Sequence, residues 1–224
     1  MMDSYRKLLN QQQTELRKVM MDFGQHNRSI ALFLNQHAQL HSAMVSDNKT
    51  RSYEDEILAG MTEAQIRSIP QNREHSIAWC LWHIARVEDV TMNLLVAGQP
   101  QILQNEQWLE RLQIPNRDTG NEMTQAQMEV LSSTINLTAL RAYRVAVGRK
   151  TRAIVTQLKP EYLKEKVDPV RANRVRDEGA VVEIASDIAD YWRKRNIAGL
   201  LLMPATRHNL VHLNEAARLK EKQT

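Results

Sequence analysis

The sequence predicts an all-α protein, and three observations carry that reading. Helix-favouring Leu, Ala, Gln, Arg and Glu are abundant, whereas only 7 of 224 residues are glycine and 6 are proline. Apolar side chains recur every three or four residues through several segments long enough to cross a small domain as helix. Sustained alternation of apolar and polar residues, the mark of a half-buried strand, is absent.

Residues 1 to 23 form a first predicted helix, and Gly24 separates it from a second over residues 26 to 45. Ser46 to Arg51 reads as a polar turn. A shorter helical region over 53 to 69 contains a capping box, Thr62 followed by Gln65, and Pro70 ends it. Residues 77 to 97 form a strongly apolar helix that stops at Gly98 and Pro100. A short helix is expected over 105 to 114, followed by a loop at PNRDTGNE, 115 to 122. Thr124 and Gln127 make a second capping box, opening a helical pattern that bends near Asn136 and continues to about Leu158. Asp168-Pro169 and Glu178-Gly179 bracket a segment read as irregular. Helix resumes near Val181, is interrupted near Pro204 and runs to about Lys220. Four or five long amphipathic helices with irregular links predict a helical bundle forming a single domain over residues 1 to 224.

Composition narrows the class of function. A hydrophobic share of 42% with little glycine excludes disordered and fibrous chains. The one cysteine, Cys80, excludes an intramolecular disulfide and suits a reducing compartment. No run of 18 apolar residues exists, so a soluble cytoplasmic protein with no membrane partner is expected. The net charge of +4 permits contact with anions without pointing to nucleic acid. Arg141, Arg144, Arg149, Lys150 and Arg152, with Arg171, Arg174 and Arg176 beyond them, recur at helical spacing. With no aromatic residues interleaved for base stacking, they read as a solvated helix face.

The histidines carry the functional signal. They are His26, His37, His41, His75, His83, His208 and His212. Residues four apart share one helix face, so His37/His41 and His208/His212 are each spaced to bind one cation through two imidazoles. His83 falls on a stripe with Trp79, Val87, Val90 and Leu94. His208 and His212 align with Leu201, Ala205, Glu215 and Leu219, and His37 and His41 with Ile30, Phe33 and Leu34. A buried imidazole without a partner costs about 1–3 kcal/mol, so converging inward histidines call for an explanation. Coordination is one and hydrogen bonding is another. His26 and His75, near helix starts, read as solvated, and the scattered methionines, including Met20, Met21, Met44 and Met92, as core filler.

WCLWHIARVED (79 to 89), together with RHNLVHLNEA (207 to 216), resembles the DinB/YfiT-like superfamily of metal-dependent proteins. The resemblance covers roughly residues 26 to 220 and implies a four-helix bundle with an extra N-terminal helix and irregular insertions. It implies that His83, His208 and His212 hold a divalent metal ion at one end of the bundle, zinc or nickel first and iron after them. Many relatives have glutamine three residues after the last histidine, where this chain has Glu215. His37 and His41 have no counterpart in the signature and are read as core or supporting residues.

Three imidazoles with an open fourth position describe a catalytic rather than a structural metal site. The expected function is therefore a metal-dependent enzyme of the thiol-transferase or hydrolase kind. Its substrate would be a small molecule, with a low-molecular-weight thiol as the leading class, and no catalytic side chain beyond the ligands is assigned. Asn209 follows His208, so the glutamate base of HExxH proteases is missing. The alternative is a non-catalytic stress-response or binding module that keeps the metal for stability. Nucleic acid is not expected as a partner, and a homodimer is an assembly the resemblance allows. Glu215 is expected to support an imidazole N–H, Glu88 and Asp89 to pair with arginines or cap a loop, and Cys80 to be a buried thiol. Residues 116 to 121 are expected to close over the site.

Overall fold

The computed structural model describes residues 2–46, 51–70, 75–105 and 107–223. These are helical, without named strands; one isolated antiparallel bridge joins Lys166 and Asn196. The expected polar turn at 46 to 51 lies mostly outside the described residues.

Four long helices close a ring. They are α2 (His26–Leu40), α5 (Ile77–Asp89), α8 (Leu137–Thr156) and α12 (His208–Glu221). Helix α5 packs against α8 and α12, and α2 touches the same two from the other side. The extra N-terminal helix α1 (Met2–Met21) lies outside this ring, along α2 and against α11 (Ile197–Leu202). Every residue of α5 is buried, so its burial extends all around rather than along one stripe. Its first half, through Ala85, joins one apolar cluster with α8 and α12. Val87 and the residues beyond join a second cluster with α1 and α11. His83, Arg86, Glu88 and Asp89 form a buried polar band where the two clusters meet.

The caps explain several boundaries. The expected capping boxes at Thr62/Gln65 and Thr124/Gln127 are both formed, opening α4 (Glu63–Arg67) and α7 (Gln125–Thr134). Gly60, at φ +74°, separates α4 from α3 (Tyr53–Leu58), so the region 53 to 69 is two helices rather than one. The bend at Asn136 is a full break, with the Asn136 side chain accepting from Ala139 to open α8. A short α6 (Trp108–Leu112) precedes the loop.

One expectation is corrected outright. Residues 169 to 177, read as irregular, form α9 (Pro169–Asp177). The Asp168 carboxylate accepts from the Val170 and Arg171 amides, Pro169 occupies the first turn, and Gly179 follows the end at φ +65°. The residues read as turn punctuation are the two caps of a helix. Helix also resumes later than Val181, at α10 (Ser186–Arg193).

Two π-helical turns adjoin the histidine-bearing helices. One extends α5 through Val90–Val96; the other, Met203–Arg207, leads directly into α12. Pro204, which has no N–H to donate, lies in the second. A residue inserted into a helix rotates the remainder of that helix by about 100°. The stripe expected from Leu201 to Leu219 is therefore not one face: Leu201 and Ala205 are buried, while His208, His212 and Glu215 are half-buried.

Two further readings change. The arginines expected to form a solvated face are largely consumed by the fold. Arg144 is buried against Glu54, Arg152 donates to the Leu34 carbonyl, and Arg171 donates to the Val96 carbonyl. Met21 and Met44 are exposed, so they are not core filler. Among the described residues, no helix is long and apolar enough to cross a membrane.

Candidate metal centre

Helix α5 starts at Ser76, whose hydroxyl accepts from the Trp79 amide, and this places His83 two turns inside the helix. Its Nδ1–H donates to the Thr119 carbonyl at 2.6 Å. A carbonyl can only accept, so the His83 tautomer is settled and its Nε2 lone pair points elsewhere. That Nε2 lies 3.1 Å from His208 Nε2.

On α12, His212 Nδ1–H donates to Glu215 Oε2 at 2.8 Å, which leaves the Nε2 lone pair of His212 free. The three rings form a near-equilateral group with centroids 4.7 to 4.8 Å apart. Each offers a ring nitrogen, and these nitrogens all lie within 4.8 Å of one another. His83, His208 and His212, read from two distant stretches of sequence, thus meet in space.

Electrostatics keeps His83 and His208 neutral. Burial, followed by repulsion from His212, lowers the His83 pKa to about 3. Burial and the adjoining His83 and His212 rings hold His208 well below its ordinary value. Neutral imidazoles present lone pairs, which is the form a cation requires. Nitrogen ligands at about 2.0–2.1 Å around a tetrahedral zinc ion stand about 3.4 Å apart, close to the observed His83–His208 spacing. The donor set, with the tautomers of His83 and His212 fixed by their partners, therefore fits a divalent cation.

Other residues complete the surroundings. Glu215 acts as the expected supporting carboxylate. Burial raises its pKa, but hydrogen bonds from His212 and His75 prevail and hold it below the usual range. His75 corrects its solvated reading: its Nδ1 donates to Glu215 Oε1 at 2.7 Å, and its ring lies flat on Trp79 at 3.6 Å. Trp79 stacks in turn on His83 at 4.5 Å, so His75, just before the helix, continues the column of Trp79 and His83 on α5. The spacing of four between these residues is a signal present in the sequence. Cys80 is fully buried, and burial first, then Glu215, pushes its thiol up. The loop expected to close over the site does touch it, through Thr119 and through Asn121. The latter lines a pocket of about 130 Å³ against His208 with Val87, Ile188, Trp192 and Pro204.

The second histidine pair takes part in different chemistry. His37 and His41 donate from Nε2 to the two oxygens of Glu88, at 2.9 and 3.0 Å, with all three side chains fully buried. Asn209 Nδ2 gives the same carboxylate a third bond at 2.9 Å, and Arg144 donates to Asn209 Oδ1. The two imidazoles stack at 4.1 Å, and their Nε2 atoms converge on that carboxylate. Burial opposes ionisation of Glu88, but His41 and His37 prevail and hold its carboxyl well below the ordinary range. Glu88 is thus paired with imidazoles and not with an arginine. Asp89 meets its expectation, pairing with Arg86 and accepting from the Ile102 and Leu103 amides.

Comparison with known proteins agrees with this architecture. A sequence model of the DinB superfamily matches residues 48–215, a span that contains His83, His208 and His212. The crystal structure of a conserved protein from Enterococcus faecalis is similar in fold, with a TM-score of 0.58 and 17% identity over 85% of this chain and 94% of the other. A search of curated proteins found no match. The helical bundle and the family match over three quarters of its length lead to one conclusion: the chain belongs to the DinB superfamily.

Proposed function

We propose that His83, His208 and His212 hold a divalent metal ion with one coordination position left open, and that the protein is a metal-dependent enzyme of the thiol-transferase or hydrolase type. The observation that carries this reading is the pair of outward N–H bonds, His83 to the Thr119 carbonyl and His212 to Glu215. These two bonds turn both remaining lone pairs away from their outer partners. Bound there, the ion would lower the pKa of a water or a small thiol at the open position.

The protein's own groups prepare that position. Glu215 and the Thr119 carbonyl fix two ligand tautomers, and the Trp79 ring braces His83 against rotation. His75, half-buried and bonded to Glu215, extends the chain of hydrogen bonds from His212 towards solvent. With Asn209 in the place a protease would use for glutamate, no carboxylate base follows the first histidine of the pair. A thiol, which coordination itself deprotonates, suits such a site because no separate protein base is required.

The test is elemental analysis of protein purified without a histidine tag, followed by assay with low-molecular-weight thiols and electrophiles. About one divalent ion per chain is expected, lost in His83→Ala and His208→Ala. No ion in the folded protein would overturn the reading. A non-catalytic stress-response or binding module would be favoured instead if the ion proves necessary for folding while no thiol or electrophile binds.

A further inference from the structure

We infer that the cavity walled by α1, α10 and α11 binds a small organic anion, a carboxylate or phosphate ester, whose apolar end reaches His208. Only the reach to His208 rests on the metal reading; the anion site stands on its own residues. The cavity has a volume of about 690 Å³ and is lined by three guanidinium groups, those of Arg17, Arg195 and Arg207. Among the described residues no aspartate or glutamate lines it.

The three charges are not neutralised from within the described residues. Arg207 donates to the Asn10 amide oxygen at 2.7 Å, Arg195 lies over the Tyr191 ring at 4.0 Å, and Arg17 makes no hydrogen bond among the described residues. Elsewhere Arg6, Arg28 and Arg176 on the surface each meet a carboxylate. Uncompensated like charges around a concave surface concentrate anions, and the guanidinium fork matches the oxygens of a carboxylate or phosphate.

The apolar half is set by the wall. Met21, Tyr191 and Met203 line the same cavity, and Met21 and Tyr191 are 53% and 37% exposed. Tyr191 and Met203 also wall the 130 Å³ pocket that ends on His208. Because an apolar cavity of about 150 Å³ accepts benzene, this pocket suits a ring or a short branched chain. Arg17, Asn10 and Met21 belong to α1, outside the span matched by the family. The anion end thus joins Arg17, from outside that span, to Arg195 and Arg207 within it.

Calorimetric titration of the full-length protein, with and without saturating zinc, tests the inference using phenyl phosphate, benzoate, inorganic phosphate and benzyl alcohol. At least one aromatic anion should bind more tightly than benzyl alcohol. Arg17→Ala, Arg195→Ala and Arg207→Ala should each weaken it about tenfold or more, while Arg28→Ala leaves it unchanged. Met203→Trp should weaken the aromatic anion and spare inorganic phosphate. Equal binding of benzyl alcohol, or undiminished binding in the folded arginine variants, would overturn the site. So would arginine-dependent pelleting with phosphatidylglycerol vesicles without binding of any soluble anion, since the ligand would then be a lipid headgroup. Absence of anion binding in protein that does take up zinc at the histidines sinks this inference alone. Failure of zinc to bind at the histidines, with the anion still bound, sinks only the metal reading.

Discussion

Two histidine pairs with identical spacing meet opposite fates in this bundle. His37, in the last turn of α2, and His41, its C-cap, stack on each other, and both spend their Nε2 protons on the oxygens of one carboxylate. His208 and His212 are tilted by 68° to each other, and the partners of His212 and His83 occupy Nδ1, leaving Nε2 for the cluster. The first group is closed and fully buried; the second lies beside a pocket. What separates the two pairs is thus the position of the acceptor. A carboxylate on Nε2 consumes the donor atom, whereas a carboxylate or carbonyl on Nδ1 directs it.

The largest effect should come from exchanging the pairs as targets. His208→Ala is expected to abolish retention of a divalent ion, whereas folded His37→Ala keeps it, as measured by metal content after dialysis. Equal loss in both would erase the distinction. Next in size, Glu88→Ala leaves three buried donors, from His37, His41 and Asn209, without their acceptor. Leaving a buried donor without its acceptor typically costs about 1–3 kcal/mol, so urea unfolding should show a loss of several kcal/mol.

Acid should distinguish the closed cluster next. Burial lowers His41 from 6.5 to about 3, so the unfolded chain takes up a proton that the fold refuses. The stability is complete above about pH 6.5 and is lost as the pH falls towards 3. Between about pH 7.5 and pH 5 His41 should account for about 2 kcal/mol of lost stability, beside the losses that His83 and His208, lowered in the same direction, add in metal-free protein. His41→Asn should reduce the dependence by that amount; an unchanged slope would show that the proton is taken up elsewhere. The smallest change is expected from Glu215→Gln, which retains an acceptor for the His212 N–H but removes its charge. Metal affinity should fall about tenfold with little effect on unfolding, and calorimetric titration with zinc would measure it.

The sequence made the meeting of His83 with the last helix legible through the apolar stripe beside Trp79 and the resemblance carried by two short motifs. It was less informative wherever partners come from other elements. Glu88 lies away from the His83 stripe, and the sequence suggests only an arginine partner or a loop cap for it, because a helix buried all around has no polar face to predict. The imidazoles that hold it belong to α2 and its C-cap, 51 and 47 positions earlier. Helix α9 was legible in principle: Asp168, Pro169 and Gly179 are its caps, but its sparse apolar residues hid the periodicity. The phase change before His208 could be tied to Pro204 only once the π turn was seen.

Thr119 joins distant parts of the chain with a single residue's main chain. Its amide hydrogen goes to the Ala180 carbonyl at 2.9 Å, and its own carbonyl holds the His83 ring. Neither bond uses the threonine side chain, so ordinary substitutions at position 119 cannot delete this clamp. Only displacement of the backbone releases it, and any movement of the segment after α9 would cause such displacement. The orientation of residue 83 is therefore insulated from local mutation yet answers to a stretch of chain outside the four-helix ring.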